Sequence, residues 1–264
     1  MTECWNTWFN EMRSAEREIK IVAGSEALCR EAADQILGRI TATLREKEVF
    51  TLVLSGGSTP KNLYALLAGS KPYLDQIPWS RIHFFWGDER HVPPDHPQSN
   101  FRMTRDAMLS KAPIPDQNIH RVRAEEPNAG KAAAEYEREI RTFFNLATGQ
   151  LPRFDCVLLG MGPDGHTASL FPGTVALQEK RRLVVANYVE KLQAYRITLT
   201  APALNNAETI IFLVSGKEKA ETLQKVLEGN PQPELFPSQL IQPAHGQLLW
   251  LIEQAAAGRL NLDE

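Results

Sequence analysis

Phe154-Asp155-Cys156-Val157-Leu158-Leu159-Gly160-Met161-Gly162-Pro163-Asp164-Gly165-His166-Thr167 is the stretch from which the fold can be read. The apolar run Phe154–Leu159 predicts a buried strand, short and almost without polar interruption. It breaks into Gly-x-Gly-Pro-Asp-Gly-His. Glycines let backbone turn tightly and approach a ligand closely. The loop then presents one imidazole, the side chain whose ordinary pKa lies nearest neutrality. A strand that ends this way points to a small-molecule site with His166 as a base.

Outward from this strand, the same rhythm repeats along the chain. Apolar runs at Glu18–Val22, Thr51–Leu54, Ile82–Trp86, Leu183–Val189, Arg196–Thr200, Thr209–Val214 and Leu248–Ile252 predict further strands. Between them, helical spacing covers Ser25–Lys47 with Ser25 as a cap, Pro60–Ala68, Ser99–Ser110, Asn128–Leu146 and Gly216–Leu227. Alternation of strand and helix predicts an α/β fold, a mostly parallel sheet with helices on both faces. Pro231–Pro243 is rich in proline and reads as an irregular loop. No shift in composition marks a boundary, so residues 21–264 are expected to form one domain. Residues 1–20, with Trp5, Trp8 and Phe9 among charged residues, are expected to form a helical extension packed on it.

The 264 residues are 43% hydrophobic and 23% charged, ordinary values for a globular domain. A net charge of -3 argues against general affinity for nucleic acid or an anionic membrane. No apolar run is long enough to span a bilayer. The N-terminus lacks the apolar core of a signal peptide. Cys4, Cys29 and Cys156 show no paired spacing, which fits a reducing compartment without a disulfide framework, and a cytoplasmic protein. His83, His91, His96, His120 and His245 show no metal-ligand spacing, so no metal is expected.

In open α/β sheets, ligands bind beyond the carboxyl ends of the strands. Four expected strands end in glycine beside polar or charged groups. Ser55-Gly56-Gly57-Ser58-Thr59-Pro60 reads as an anion cradle at a helix N-terminus, with free backbone N–H groups and hydroxyl donors. A plain glycine-rich turn with Thr59 as a cap explains that segment equally well. It is neither a Walker loop nor a Gly-x-Ser-x-Gly elbow, so Ser58 is not expected to be a nucleophile. Gly87-Asp88-Glu89-Arg90 sets acids and a base at another strand end, where Arg90 can pair with phosphate. Lys217 and Lys219 open a helix, which is mildly costly for cations unless an anion lies nearby.

Taken in order, these loops resemble the 6-phosphogluconolactonase family. The resemblance is carried by Ser55–Pro60, Phe85–Arg90, Ser99-Asn100, Gly160–Pro172, Arg196–Thr200 and Gly216-x-x-Lys219-Ala220, and it runs from about Ile21 to Ile252. The related glucosamine-6-phosphate deaminases share the sheet. They typically carry Asp-Glu-Tyr where this chain has Asp88-Glu89-Arg90, and a different continuation after the histidine than Thr167–Pro172. The chain departs from the lactonase pattern before Arg196, where Lys191-Leu192-Gln193-Ala194-Tyr195 replaces a segment often rich in proline.

The resemblance implies a Rossmann-like fold and hydrolysis of 6-phospho-D-glucono-1,5-lactone to 6-phospho-D-gluconate, without cofactor or metal. His166 is the implied base for water, supported by Asp164 or Asp88. Ser55, Gly56, Gly57, Ser58, Thr59, Arg90, Gly165, Arg196 and Lys219 are the implied substrate and phosphate contacts. The expected partner is a small phosphorylated sugar lactone, and the expected state a monomer or weak homo-oligomer. Two alternatives are a glucosamine-6-phosphate deaminase/isomerase with Asp88 as base at carbon, and a non-catalytic sugar-phosphate sensor.

Overall fold

The computed structural model describes residues 17–261. Seven strands form one parallel sheet in the order β1-β10-β9-β6-β2-β3-β5. They are β1 (Arg17–Val22), β2 (Phe50–Leu54), β3 (Ile82–Trp86), β5 (Ile119–His120), β6 (Cys156–Gly160), β9 (Thr209–Val214) and β10 (Gln247–Glu253). A second sheet is antiparallel, in the order β4-β8-β7, with β4 (Asp88–Arg90), β7 (Val184–Val189) and β8 (Ala194–Leu199). The helical extension expected over residues 1–20 falls outside the described residues, except that Arg17–Lys20 lie in β1.

Burial explains why these runs become strands. Every residue of β2 and of β9 is buried, so neither strand shows the polar alternation of a half-exposed sheet. Among the described residues β1 pairs only with β10, and it carries Arg17, Glu18 and Lys20, charges that suit an edge. Helix α1 (Ser25–Thr43) buries Leu28, Ala32, Ile36 and Ile40 at four-residue spacing, and packs on α2 (Ser58–Gly69). A short α3 (Lys71–Gln76) follows, and α4 (Asn100–Thr104) is capped by Ser99 Oγ, which accepts from Arg102 N. Helix α5 (Ala129–Phe143), capped by Asn128, packs on β7 and β8. The last two are α6 (Ala201–Asn205) and α7 (Ala220–Leu227). No helix among the described residues is long and apolar enough to cross a membrane.

Several expectations need correction. The runs at Leu183–Val189 and Arg196–Thr200 do not extend the parallel sheet but pair with each other as an antiparallel hairpin. A hairpin needs only a short turn between its strands, here Glu190–Gln193, whereas a parallel pair needs a long crossover. Ser25 is the first residue of α1 and does not cap it; Gly24 stands at that position. Phe154 and Asp155 precede the strand, which starts at Cys156. The run from Gly216 becomes a tight turn at Lys217–Lys219 before α7 starts at Ala220.

The strand order sets the position of a crevice. From β2 the chain steps to β3 and β5 on one side. It then returns to β6 on the other side of β2 and continues to β9 and β10. The crossovers diverge between β2 and β6, and a cleft opens beyond their carboxyl ends. Two buried tyrosines hold the strand ends beside it. Tyr64 Oη accepts from Ser55 N and donates to Ser55 O, both at 2.9 Å. Tyr136 Oη accepts from Trp86 N at 2.8 Å and donates to Trp86 O at 3.0 Å. These are the points where β2 and β3 leave the sheet and their backbone groups lose strand partners. Gly87 then joins the two sheets, donating to Leu54 O at 2.9 Å and accepting from Leu199 N at 2.8 Å.

Replacing Tyr136 with Phe strands the Trp86 backbone groups in a buried site. We expect Tyr136→Phe to lower unfolding stability by about 1–3 kcal/mol, read by urea denaturation. A loss under about 0.5 kcal/mol, within the range of a neutral surface change, would contradict the clamp.

Candidate active site

The carboxyl ends of β2, β3, β6 and β9 meet at a cleft of about 420 Å³. Its walls include Ser55, Gly56, Gly57, Ser58, Thr59, Asp88, Arg90, Asp164, His166, Arg196 and Lys219. Four loops far apart in the chain therefore converge on one site. Gly165 is the exception: it does not line the cleft. Its φ of +76° makes the turn, and a Cβ there would lie 3.0 Å from the Phe236 ring. Its carbonyl accepts from Ser238 N and Oγ, each at 2.9 Å, so its role is to shape the loop. A larger groove of about 1080 Å³ lies at the opposite end of β1 and β10. There the guanidinium groups of Arg17 and Arg39 are already bonded to Leu227 O and to Thr209, Gln35 and Gln247.

The histidine loop folds on itself. Gly162 N donates to His166 O at 2.9 Å, Gly165 N to Gly162 O at 3.0 Å, and Thr167 Oγ1 to Gly160 O at 2.8 Å. A Cβ on Gly162 would overlap the His166 ring, so glycine is required for the ring to lie across the loop. His166 Nδ1 meets Asp164 Oδ1 at 2.5 Å, and the ring stacks on Phe171 with centroids 4.1 Å apart. The second carboxylate oxygen, Asp164 Oδ2, accepts from Lys191 Nζ. Burial pushes the His166 pKa down to about 4; Asp88 opposes this, and Lys219, Arg196 and Arg90 add to it. The ring is therefore neutral at pH 7. A neutral ring bonded to a carboxylate through Nδ1 must carry its proton there, which leaves Nε2 with a free lone pair. Among the described residues Nε2 has no protein hydrogen-bond partner.

Asp88 does not touch the ring through a hydrogen bond. Its Oδ2 accepts from Ser169 Oγ at 2.6 Å, and Asn100 Nδ2 lies 3.4 Å from Oδ1. Glu89 beside it is buried, and burial raises its pKa against hydrogen bonds from the Asn100, Phe101 and Arg90 amides. Glu89 thus binds the start of α4 and holds Asn100 in place. A Cβ on Gly56 would overlap the Asn100 side chain, so this glycine is needed for the two loops to meet.

Among the described residues the three cations form no ion pair. Arg90 of β4 and Arg196 of β8 are directly opposed in the antiparallel register. Like charges placed so destabilise a sheet unless something neutralises them. Arg90 is bonded to Gln98 O and Arg196 to Tyr195 O; among the described residues neither they nor Lys219 has a carboxylate within ion-pair distance. Burial, then Arg90, lowers the pKa of Arg196. Burial also lowers that of Lys219, against Glu218 and Glu253. The N-terminus of α2, with Gly57 at φ +111° and no side-chain cap, faces the same cleft. The buried Ser55 Oγ has no hydrogen-bond partner. Three cations, an uncapped helix N-terminus and a spare hydroxyl describe a site for one anionic group.

Asn100, Ser169, Phe171 and Lys191 were not expected as parts of this constellation by role. Asn100, Ser169 and Phe171 stand inside motifs quoted above, so their positions carried a signal. Lys191 sits where the chain departs from the family pattern and gave none. The remaining histidines lie away from the cleft. His83 Nδ1 and His120 Nε2 are 2.9 Å apart, and His91 Nε2 bonds Glu126 O. Among the described residues no three His, Cys, Asp or Glu side chains are grouped as metal ligands.

Comparison with known proteins gives a consistent set of relatives. Residues 23–250 match the family described as glucosamine-6-phosphate isomerases/6-phosphogluconolactonase. A 6-phosphogluconolactonase of Nostoc sp. is 43% identical over 247 residues, covering 94% of this chain and all of the relative. The crystal structure of a 6-phosphogluconolactonase from Thermotoga maritima superposes with a TM-score of 0.77 at 34% identity, covering 90% of this chain and all of that one. A monomeric glucosamine-6-phosphate deaminase superposes with a TM-score of 0.76 at 23% identity, covering 91% of this chain and 99% of that one, a likeness of fold alone.

The dependence of the ring on Gly162 can be tested directly. Gly162→Ala is expected to lower turnover of the protein's substrate by about 100-fold through misplacement of His166, with an unchanged circular dichroism spectrum. Wild-type turnover in this variant would contradict the geometry.

Proposed function

The chain belongs to the glucosamine-6-phosphate isomerase/6-phosphogluconolactonase family, and from that membership we propose that it hydrolyses 6-phospho-D-glucono-1,5-lactone to 6-phospho-D-gluconate with His166 as general base. The observation that carries this reading is the imidazole held by Asp164 through Nδ1, with Nε2 unbonded among the described residues, at a cleft lined by Arg90, Arg196 and Lys219. A lactone is an activated ester. A positioned base for water suffices to open it, without a covalent intermediate, and contributes roughly 10²–10⁴-fold.

In the proposed reaction the phosphate lies on the Ser55–Thr59 loop at the start of α2, among Arg90, Arg196 and Lys219. Binding this remote group sets the lactone carbonyl beside His166. Nε2 takes a proton from water as the water oxygen bonds to C1. The imidazolium is stabilised by Asp164 through Nδ1–H. Collapse of the tetrahedral intermediate breaks the bond from C1 to the ring oxygen, and the proton on Nε2 passes to that oxygen. Asp88, tied to Ser169 and Asn100, adds negative charge near the imidazolium. Phosphate binding also strengthens the base. It neutralises the three cations that depress His166, so the imidazole is more basic in the complex than in the free protein. A phosphorylated sugar is retained inside cells, which fits a cytoplasmic site of action.

The test is a coupled assay in which glucose-6-phosphate dehydrogenase generates the lactone and 6-phosphogluconate is followed. We expect formation well above spontaneous opening, and no ammonia from glucosamine 6-phosphate. In His166→Ala, kcat is expected to fall by about 100-fold or more while KM stays within a few-fold. Near-wild-type kcat would sink the base. For Lys219→Ala, KM should rise by about tenfold or more, as for loss of a charge-assisted bond. An unchanged KM would remove Lys219 from the phosphate site.

A further inference from the structure

The tip of the β7–β8 hairpin reaches into the cleft. It is a built turn: Gln193 adopts φ +48°, its amide N donates to Glu190 O at 3.0 Å, and its Nε2 donates to the same carbonyl at 2.8 Å. Below the tip, Tyr188 and Tyr195 pack edge to face with centroids 5.1 Å apart, and His91 packs on Tyr195 from the β4 side. Lys191 at this tip spans two groups that also touch the imidazole. Its Nζ bonds Asp164 Oδ2 and lies 4.7 Å above the centre of the Phe171 ring. His166 bonds Asp164 Oδ1 and stacks on the same Phe171. Lysine and histidine are thus joined in a closed circuit through one carboxylate and one aromatic ring.

We propose that Lys191 is a positioning residue for His166, holding Asp164 so that its free oxygen faces Nδ1 and its charge is largely balanced. The proposal rests on the reading of His166 as base, and assigns to the hairpin the task of keeping that base neutral and aimed. Alone, a carboxylate in contact with Nδ1 favours the imidazolium. Shared with an ammonium on its other oxygen, it keeps the hydrogen bond while losing most of its pull on the proton. Phe171 fixes the plane of the ring and offers its face to the ammonium. The side chain of Lys191 is 52% exposed, so its immobilisation costs rotamer entropy that the ion pair and the aromatic contact offset.

The other charges facing His166 come from three separate elements. Asp88 and Arg90 lie on β4, Arg196 on β8, and Lys219 in the turn before α7. Of the groups around the ring, Lys191 alone among the described residues is ion-paired to the carboxylate that His166 touches. It also lines the cleft, so a direct contact with substrate is the competing role. The two roles differ in what they change. A substrate contact acts on KM. A hold on Asp164 acts on the imidazole itself, in the absence of substrate.

The experiment titrates the full-length protein carrying isotope-labelled histidine and follows the His166 ring by NMR without ligand, with His166→Ala to assign the signal. Lys191→Met, Lys191→Arg and wild type are compared, and their kcat, KM and pH–rate profiles are measured alongside. We expect Lys191→Met to raise the His166 pKa by roughly one unit or more and to lower kcat about tenfold through loss of aim, with KM within twofold. Lys191→Arg should recover most of both. An unmoved His166 pKa in Lys191→Met, or a rise in KM at constant kcat, overturns the proposal. If the NMR pKa moves while the acid limb of the rate profile stays in place, Lys191 does hold the ring, and His166 as base is what fails.

Discussion

All strands of the large sheet run the same way, so all of them end on the same edge. That constraint places the glycine loops after β2, β3, β6 and β9 together, although up to about 160 residues separate them in the chain. The divergence of the crossovers between β2 and β6 then opens a cleft where two of these loops meet. Backbone groups leaving the sheet need new partners there. Tyr64 and Tyr136 supply them to the ends of β2 and β3, and Glu89 supplies them to the start of α4. The site is thus carried by rigid strand ends whose polar groups are satisfied from behind, with its reactive side chains left to face the cleft.

The electrostatics follow from that arrangement. The small antiparallel sheet lays Arg90 opposite Arg196, and the turn before α7 adds Lys219. Together they oppose protonation of a histidine that burial has already made a weak base. This is a cost on both sides: cations that form no ion pair among the described residues and an imidazole with little affinity for a proton. One phosphate, bound as proposed, relieves both. In the proposed reaction the same group that fixes the substrate's position raises the basicity of the residue that deprotonates water, which couples binding to chemistry through charge alone.

Much of this was legible in the sequence, for a physical reason. Buried parallel strands are continuous apolar runs, and glycine loops at their ends are punctuation that few other structures need. Both survive in one dimension, so six of the seven strands of the main sheet and the loop bearing His166 could be read directly, whereas the two-residue β5 gave no apolar run and Ser55–Thr59 read equally well as an anion cradle or a plain turn. The small sheet could not. β7 and β8 look like any other apolar runs, and only the brevity of the turn between them hinted at an antiparallel pair. Gly165 could not be assigned from sequence because glycines near a ligand and glycines that make a turn look alike; its φ of +76° and the Phe236 ring 3.0 Å from where a Cβ would stand show that it makes a turn. The choice between Asp88 and Asp164 as the partner of His166 depends on side-chain direction, which spacing does not encode. Lys191 stood out only as part of a departure from the family pattern, because its contact with Asp164 spans 27 residues, between a hairpin tip and a loop.

The central claim is that His166 works as a neutral base whose pKa the site has depressed. The measurement that reaches it most directly is the pH dependence of kcat/KM, which reports the free protein. Since the protonated ring is inactive, activity should be lost as pH falls through the folded pKa. The account predicts that kcat/KM holds steady from neutrality down to about pH 5 and falls with an apparent pKa near 4, while the acid limb of kcat, where phosphate is bound, lies higher. An acid limb of kcat/KM at the ordinary histidine value of about 6.5, or no acid limb at all, would contradict it.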